Sequence, residues 1–247
     1  MEAEVLKMAS GYCPNCINLG DCALPMKGWM PVPPGEEVKQ MYQEDHHPPW
    51  NWRKCSHLLT AEVEKQQAAA MAGKWLERSL SNYNVEAGNK EAYEACMDYA
   101  KALHPYSREG LLLWGPVGTG KTHLAVGILK IALQRGLTGT HLKVPDLLEE
   151  IRKGYDTGNH TCESRAKNYH LVILDDLGAE KVTEWVREKL YSIIDSRYEG
   201  QKPTIITTNC SPAELTERIG ERITDRLREM CKVVKVDGKS YRGRQKP

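Results

Sequence analysis

Nowhere does this 247-residue chain stay apolar for the roughly 18 to 20 residues that a membrane-crossing helix needs, so no such helix is expected. The first ten residues carry Glu2 and Glu4 and no apolar core, so they are not read as a secretory leader, and the expected compartment is the cytoplasm. An excess of one charge is also missing: 34 Lys and Arg stand against 33 Asp and Glu, a formal net charge of +1. Whole-chain electrostatics therefore neither demand nor exclude a nucleic-acid partner, and a basic surface has to be local. One such excess is the stretch 238–247, with Lys239, Arg242, Arg244 and Lys246 and no acid. Internal repeats and low-complexity tails are absent as well.

What is present suits one substantial α/β core with a smaller appendage. Residues 1 to about 57 are rich in Cys, Pro, Trp and His and show little helical periodicity. Four of the eight cysteines lie there; Cys96, Cys162, Cys210 and Cys231 are scattered singly, as small buried hydrophobes are. In a reducing compartment such a cluster points to metal before disulfide. Cys13-Pro14-Asn15-Cys16 is a C-x-x-C knuckle, followed by Cys22 and by Cys55-Ser56-His57. Cys13, Cys16, Cys22 and Cys55 are the expected zinc ligands, with His57 able to replace Cys22 or Cys55. Free thiols in a loosely ordered tail are the alternative, and His46 and His47, beside Pro48, suit a metal less well.

Residues 58–88 read as a helical linker, with an apolar stripe through Ala68, Met71 and Trp75 as far as Leu80. Asn89–Leu103 reads as a further helix. From Gly110 onward short apolar runs alternate with amphipathic helices, which predicts a parallel sheet with helices on both faces. The five strand candidates are Leu111–Trp114, Thr140–Val144, Leu171–Leu174, Thr204–Thr207 and Lys232–Val236. Ser211-Pro212-Ala213-Glu214 is a helix start with a capping box, and Gly200 stands where the helix from Thr183 should end.

Gly115, Pro116, Val117, Gly118, Thr119, Gly120, Lys121 and Thr122 fit G-x-x-x-x-G-K-[ST] between a strand and a helix, the context this phosphate cradle requires. Its glycines let backbone N–H groups turn toward phosphate, and the helix N-terminus adds a favourable dipole. Lys121 is expected on the β- and γ-phosphates of ATP and the Thr122 hydroxyl on Mg²⁺, with His123 following as a further nucleotide-binding candidate. A second strand, His170 to Leu174, ends in Asp175 and Asp176. Parallel strands deliver ligands at their carboxyl ends. Asp175 is expected to orient Mg²⁺ through water and Asp176 to position or deprotonate the attacking water. If the strand ending at Asn209 lies between these two, Asn209 lies near the γ-phosphate; otherwise it is a plain helix cap.

The segments Gly110–Ala125, Leu174–Lys181 and Ile206–Asn209 together resemble the DnaC/DnaI/IstB family of AAA+ ATPases, which includes helicase loaders and transposase helper ATPases. The resemblance covers roughly residues 75–242. It implies an AAA+ core without a separate C-terminal lid, a sensor role for Asn209, and an arginine finger in the stretch Gly220–Arg228. Arg226 is the first choice there and Arg222 the second. A finger acts on a neighbour's ATP, which implies self-association through nucleotide-bridged interfaces. The competing reading pairs these arginines with Glu221, Asp225 or Glu229. Ser240-Tyr241-Arg242 resembles the second sensor, with Arg242 contacting nucleotide. Asp at 176, where many AAA+ proteins have Glu, suggests slow, switch-like hydrolysis.

Some loaders of this family resemble the present N-terminal arrangement, a zinc module that grips the replicative helicase. Trp29, Trp50, Trp52 and the region Lys65 to Leu80 are then candidate contact surface. The insert Ile151–Tyr169, with Arg152, Lys153, Arg165 and Lys167, would lie near an oligomer's pore and touch single-stranded DNA, or be a solvated charged loop. The expected function is ATP-dependent loading of a hexameric replicative helicase onto single-stranded DNA. The alternatives are a transposase helper and an ATP-switched adaptor with little hydrolysis. A small-molecule kinase is disfavoured, since no phosphate-acceptor lid is read here.

Overall fold

The computed structural model describes residues 29–32, 51–54, 70, 73–86, 88–135 and 137–241, the first two segments as backbone only. The chain divides into two units, residues 1–65 and 66–247. In the first, β1 (Trp29–Val32) pairs antiparallel with β2 (Asn51–Lys54), with Trp29 opposite Lys54 and Pro31 opposite Trp52. Cys13, Cys16, Cys22, Cys55, His57 and Trp50 lie outside the described residues.

The second unit is a five-stranded parallel sheet of β3 (Gly110–Trp114), β4 (Gly139–Lys143), β5 (Leu171–Asp175), β6 (Thr204–Thr208) and β7 (Cys231–Lys235), in the order β4-β5-β6-β3-β7. Seven helices are described between and before the strands. They are α1 (Lys90–Ala102), α2 (Lys121–Gln134), α3 (Val144–Thr157), α4 (Thr161–Asn168), α5 (Glu184–Glu199), α6 (Pro212–Ile219) and α7 (Glu221–Met230). Side chains alternate across a strand, and here both faces are apolar. Leu111, Leu113, Leu171, Ile173 and Ile205 pack with α1 and α2, while Leu112, Val172, Leu174 and Ile206 pack with residues of α3 to α7. That two-sided burial is why the central strands β3, β5 and β6 read as short, largely apolar runs.

The cap signals act as the sequence predicts. Thr183 accepts from the Val186 N–H, Ser211 and Glu214 close a capping box, and Gly200 ends α5. Buried Arg197 ties the opposite, amino-terminal edge of the sheet together. It donates to Thr204 Oγ1 and to the carbonyls of Ala166, Tyr169, His170 and Pro203 at 2.7–3.1 Å.

Two expectations are corrected. The linker stripe does not persist as α-helix to Leu80: from Gly73 the described chain makes single 3₁₀ turns at Gly73–Trp75 and Leu80–Asn82, and Gly73 itself is left-handed (φ 59°). Ser79 and the second of these turns pack against α2, where His123 meets the Ser79 carbonyl and a Cβ on Gly127 would lie 2.7 Å from the Leu80 nitrogen, so tertiary contact overrides local periodicity. The insert Ile151–Tyr169 is not a loop; it forms the end of α3 and all of α4. Its cations are engaged within the chain. Lys153 pairs with Glu149, Lys167 with Glu163, Arg152 lies over Trp185, and Arg165 donates to Thr140.

Candidate functional site

Three strand ends meet at the carboxyl edge of the sheet because β6 lies between β3 and β5. After β3 the chain turns through Gly115, Gly118 and Gly120, at φ 146°, 83° and 93°, and enters α2 at Lys121. Only glycine takes these values without strain. The Lys121 side chain is nearly buried and its Nζ donates to the carbonyls of Gly115 (2.8 Å) and Pro116 (2.7 Å), so the cation sits within the loop. Thr119 Oγ1 also donates to the Pro116 carbonyl, while Val117 is exposed at the loop's tip.

Asp175, 1% exposed, ends β5. Its Oδ1 accepts from Thr122 Oγ1 (2.8 Å) and Thr207 Oγ1 (2.6 Å), and its Oδ2 lies 3.1 Å from His141 Nε2. Burial pushes its pKa upward, but the hydrogen bonds and charge of His141, with those of Thr207 and Thr122, outweigh this and hold it below the ordinary carboxylate value. The next residue, Asp176, is in the left-handed region (φ 58°), which turns its side chain away from the strand direction. Its N–H donates to Thr207 Oγ1 at 3.0 Å. One threonine hydroxyl therefore fixes both acids.

A cleft of about 380 Å³ opens over the loop, within the range of small-molecule sites. Lys121, Thr122, His123, Asp176 and Asn209 all line it, with Gly118 and Gly120 on the loop side. The remaining wall comes from the linker, through Trp75, Arg78, Asn82, Tyr83 and Asn84, and from Tyr241. His123 Nε2 lies 2.8 Å from the Ser79 carbonyl oxygen and 2.9 Å from Asn82 Oδ1, which fastens the linker to α2. Burial lowers the His123 pKa below the ordinary histidine value.

The donor set fits a hard divalent cation: a hydroxyl and a carboxylate oxygen, at the foot of a loop that ends in a helix N-terminus. Thr122 and Asp175 are the residues that would hold Mg²⁺. Among the described residues no cluster of three or more His, Cys, Asp or Glu suits a metal, and the sequence-predicted zinc ligands are outside that set.

Arg226 does not line the cleft. On α7 it donates to Asp195 Oδ1 (2.6 Å) and Tyr191 Oη (2.8 Å) of α5 and lies over the Tyr191 and Tyr198 rings. Its partner is thus a residue of another helix, rather than Glu221, Asp225 or Glu229. Arg222 is exposed, near the Tyr191 ring. Arg242 lies outside the described residues, one position beyond Tyr241, whose backbone N–H donates to the Gly118 carbonyl.

His141, Thr207, Tyr83 and the linker asparagines are the site residues that sequence reading missed. Their contacts join positions more than 30 apart, and the one available signal was a histidine between Thr140 and Leu142 in a strand that runs into the sheet.

Loop, sheet order and acidic strand end together define a P-loop nucleotide-binding protein of the AAA+ type. The family model described as IstB-like ATP binding protein matches residues 62–247, and the chain belongs to that family. The replicative helicase loader DnaC of Escherichia coli (strain K12) is 27% identical over 154 residues, 61% of this chain and 62% of DnaC's own length. The loader DnaI of Bacillus subtilis (strain 168) is 23% identical over 258 residues, covering 94% of this chain and 79% of DnaI. An ATP-binding protein of an insertion sequence in Mycobacterium tuberculosis is 30% identical over 203 residues, covering 79% of this chain and 78% of that one. The crystal structure of a DnaC helicase loader superposes with a TM-score of 0.63 at 30% identity, covering 67% of this chain and all of that one. No described helix is long and apolar enough to cross a membrane.

Proposed function

We propose that this chain is an ATP hydrolase that places a hexameric replicative DNA helicase on single-stranded DNA. The observation that carries the hydrolase reading is the convergence of Lys121, Thr122, Asp176 and Asn209 on one cleft above buried Asp175. Bound magnesium–ATP would supply the divalent charge and the labile γ-phosphoryl bond. Lys121 and the loop amides bind phosphate, and Thr122 and Asp175 hold the metal. Asp175 stays ionised for this, as its lowered pKa requires. Asp176 positions the attacking water and takes its proton; Asn209 hydrogen-bonds that water or the phosphate. Arg226, or exposed Arg222, acts on the ATP of a neighbouring copy, and Arg242 approaches nucleotide from the C-terminal side.

The loader reading is favoured because the match to DnaI extends over 94% of the chain, well into the Cys-rich first quarter. That head, residues 1–57, is the proposed helicase contact, with zinc on Cys13, Cys16, Cys22 and Cys55, or with His57 in the set. The relative from an insertion sequence supports the second reading, a transposase helper. ATP turnover, measured with and without single-stranded DNA and helicase, tests the hydrolase step. Asp176→Asn should retain nucleotide and lose turnover; unchanged turnover would refute the assignment of the base.

A further inference from the structure

Two carbonyl oxygens of the P-loop are held by residues remote in sequence. Tyr83 Oη donates to the Thr119 carbonyl at 2.9 Å, and the Tyr241 N–H donates to the Gly118 carbonyl at 2.9 Å. In a planar trans peptide the N–H points opposite to the C=O. Holding these carbonyls therefore also fixes the N–H groups of Thr119 and Gly120, each on the opposite side of its peptide. Inward-pointing successive amides are what make such a loop an anion nest. The glycines permit the close approach: a Cβ on Gly118 would collide with the Ser240 side chain, and one on Gly120 would lie 2.6 Å from Tyr83 Cε2.

Both pins are themselves anchored. Tyr241 Oη donates to the Asn84 carbonyl (2.7 Å) and accepts from Asn89 Nδ2 (2.6 Å). Asn89 is buried and its Oδ1 accepts from the Glu86 N–H. The Tyr83 ring stacks on Tyr93 of α1, with centroids 5.7 Å apart and planes 6° from parallel, and meets His123 edge-on.

We propose that Tyr83 is a positioning residue of the nucleotide site, acting through the Thr119–Gly120 peptide, with Tyr241 its counterpart on the Gly118–Thr119 peptide. The proposal rests on the loop's reading as a phosphate cradle: the pins act on nucleotides with a β-phosphate and leave monophosphates unaffected. A residue that touched the base would affect both alike.

The test is Tyr83→Phe in the full chain, which removes the hydroxyl and keeps the ring. Dissociation constants for ADP and AMP are measured by displacement of a fluorescent ADP, with melting temperature alongside. ADP affinity should fall about three- to tenfold, the range one hydrogen bond gives, with AMP affinity unchanged. Equal losses for both, or none for ADP, would overturn the proposal. Should Tyr83→Phe unfold the chain, Tyr241→Phe provides the same comparison: it frees the tail from Asn84 and Asn89 and should weaken ADP alone. Absence of ADP binding by the unaltered chain would overturn the cradle reading itself, and the proposal with it.

Discussion

Thr207→Val removes one hydroxyl and almost no volume, yet that hydroxyl serves both acids of the site. Thr207 is fully buried; its Oγ1 donates to Asp175 at 2.6 Å and accepts from the Asp176 N–H at 3.0 Å. A hydrogen bond to a charged group is worth about 1.5–3 kcal/mol, and leaving a buried donor without this acceptor costs about 1–3 kcal/mol more. Some of that second cost relaxes, so the variant should lose about 2–5 kcal/mol of unfolding free energy, a large share of a typical domain's stability. The Asp175 pKa should rise, since one of its lowering interactions is gone. Urea unfolding gives the stability, and single-turnover ATP hydrolysis the chemistry. Thr207→Ser, which keeps the hydroxyl, should recover most of both. A loss under about 0.5 kcal/mol with wild-type turnover would refute the claim that this hydroxyl organises the acids.

Further outcomes follow from the same geometry. Arg226→Ala should cost the isolated chain little stability, because its ion pair with Asp195 is partly exposed. If Arg226 acts on a neighbour's ATP, turnover collapses while binding persists, and mixing Arg226→Ala with Asp176→Asn chains restores some turnover; failure to restore it argues against action in trans. Burial lowers the His170 pKa, so the unfolded chain binds that proton more readily. Stability should then fall as pH drops below about 6.5, the ordinary histidine value, and His170→Gln should flatten that part of the curve of unfolding midpoint against pH. The pair Cys13→Ser and Cys16→Ser should abolish zinc retained through gel filtration, measured by atomic absorption; equal metal content in both forms contradicts the proposed ligands.

Much of the P-loop unit was legible because its signals are local. The central strands are short, largely apolar runs buried on two faces, the loop is a contiguous motif, and Thr183 and Ser211 cap helices within three residues of themselves. The position of Asn209 depended on strand order, and β6 does fall between β3 and β5. What escaped are contacts that close only after the sheet forms. His141 reaches Asp175 across adjacent strands, Tyr83 reaches Thr119 from the linker, and Arg226 chooses Asp195 over neighbours on its own helix. Pairing rules at i and i+4 see only the last helix, and a 3₁₀ turn packed on α2 carries no helical stripe to read.

The most direct test of the account is a pull-down of the host's replicative helicase by the full chain, with and without ATP, followed by transfer of that helicase to single-stranded DNA. The account predicts capture with ATP present, and transfer that is lost in Asp176→Asn. No capture of the helicase under either condition, with capture of a transposase instead, would contradict the loader assignment while leaving the nucleotide site intact.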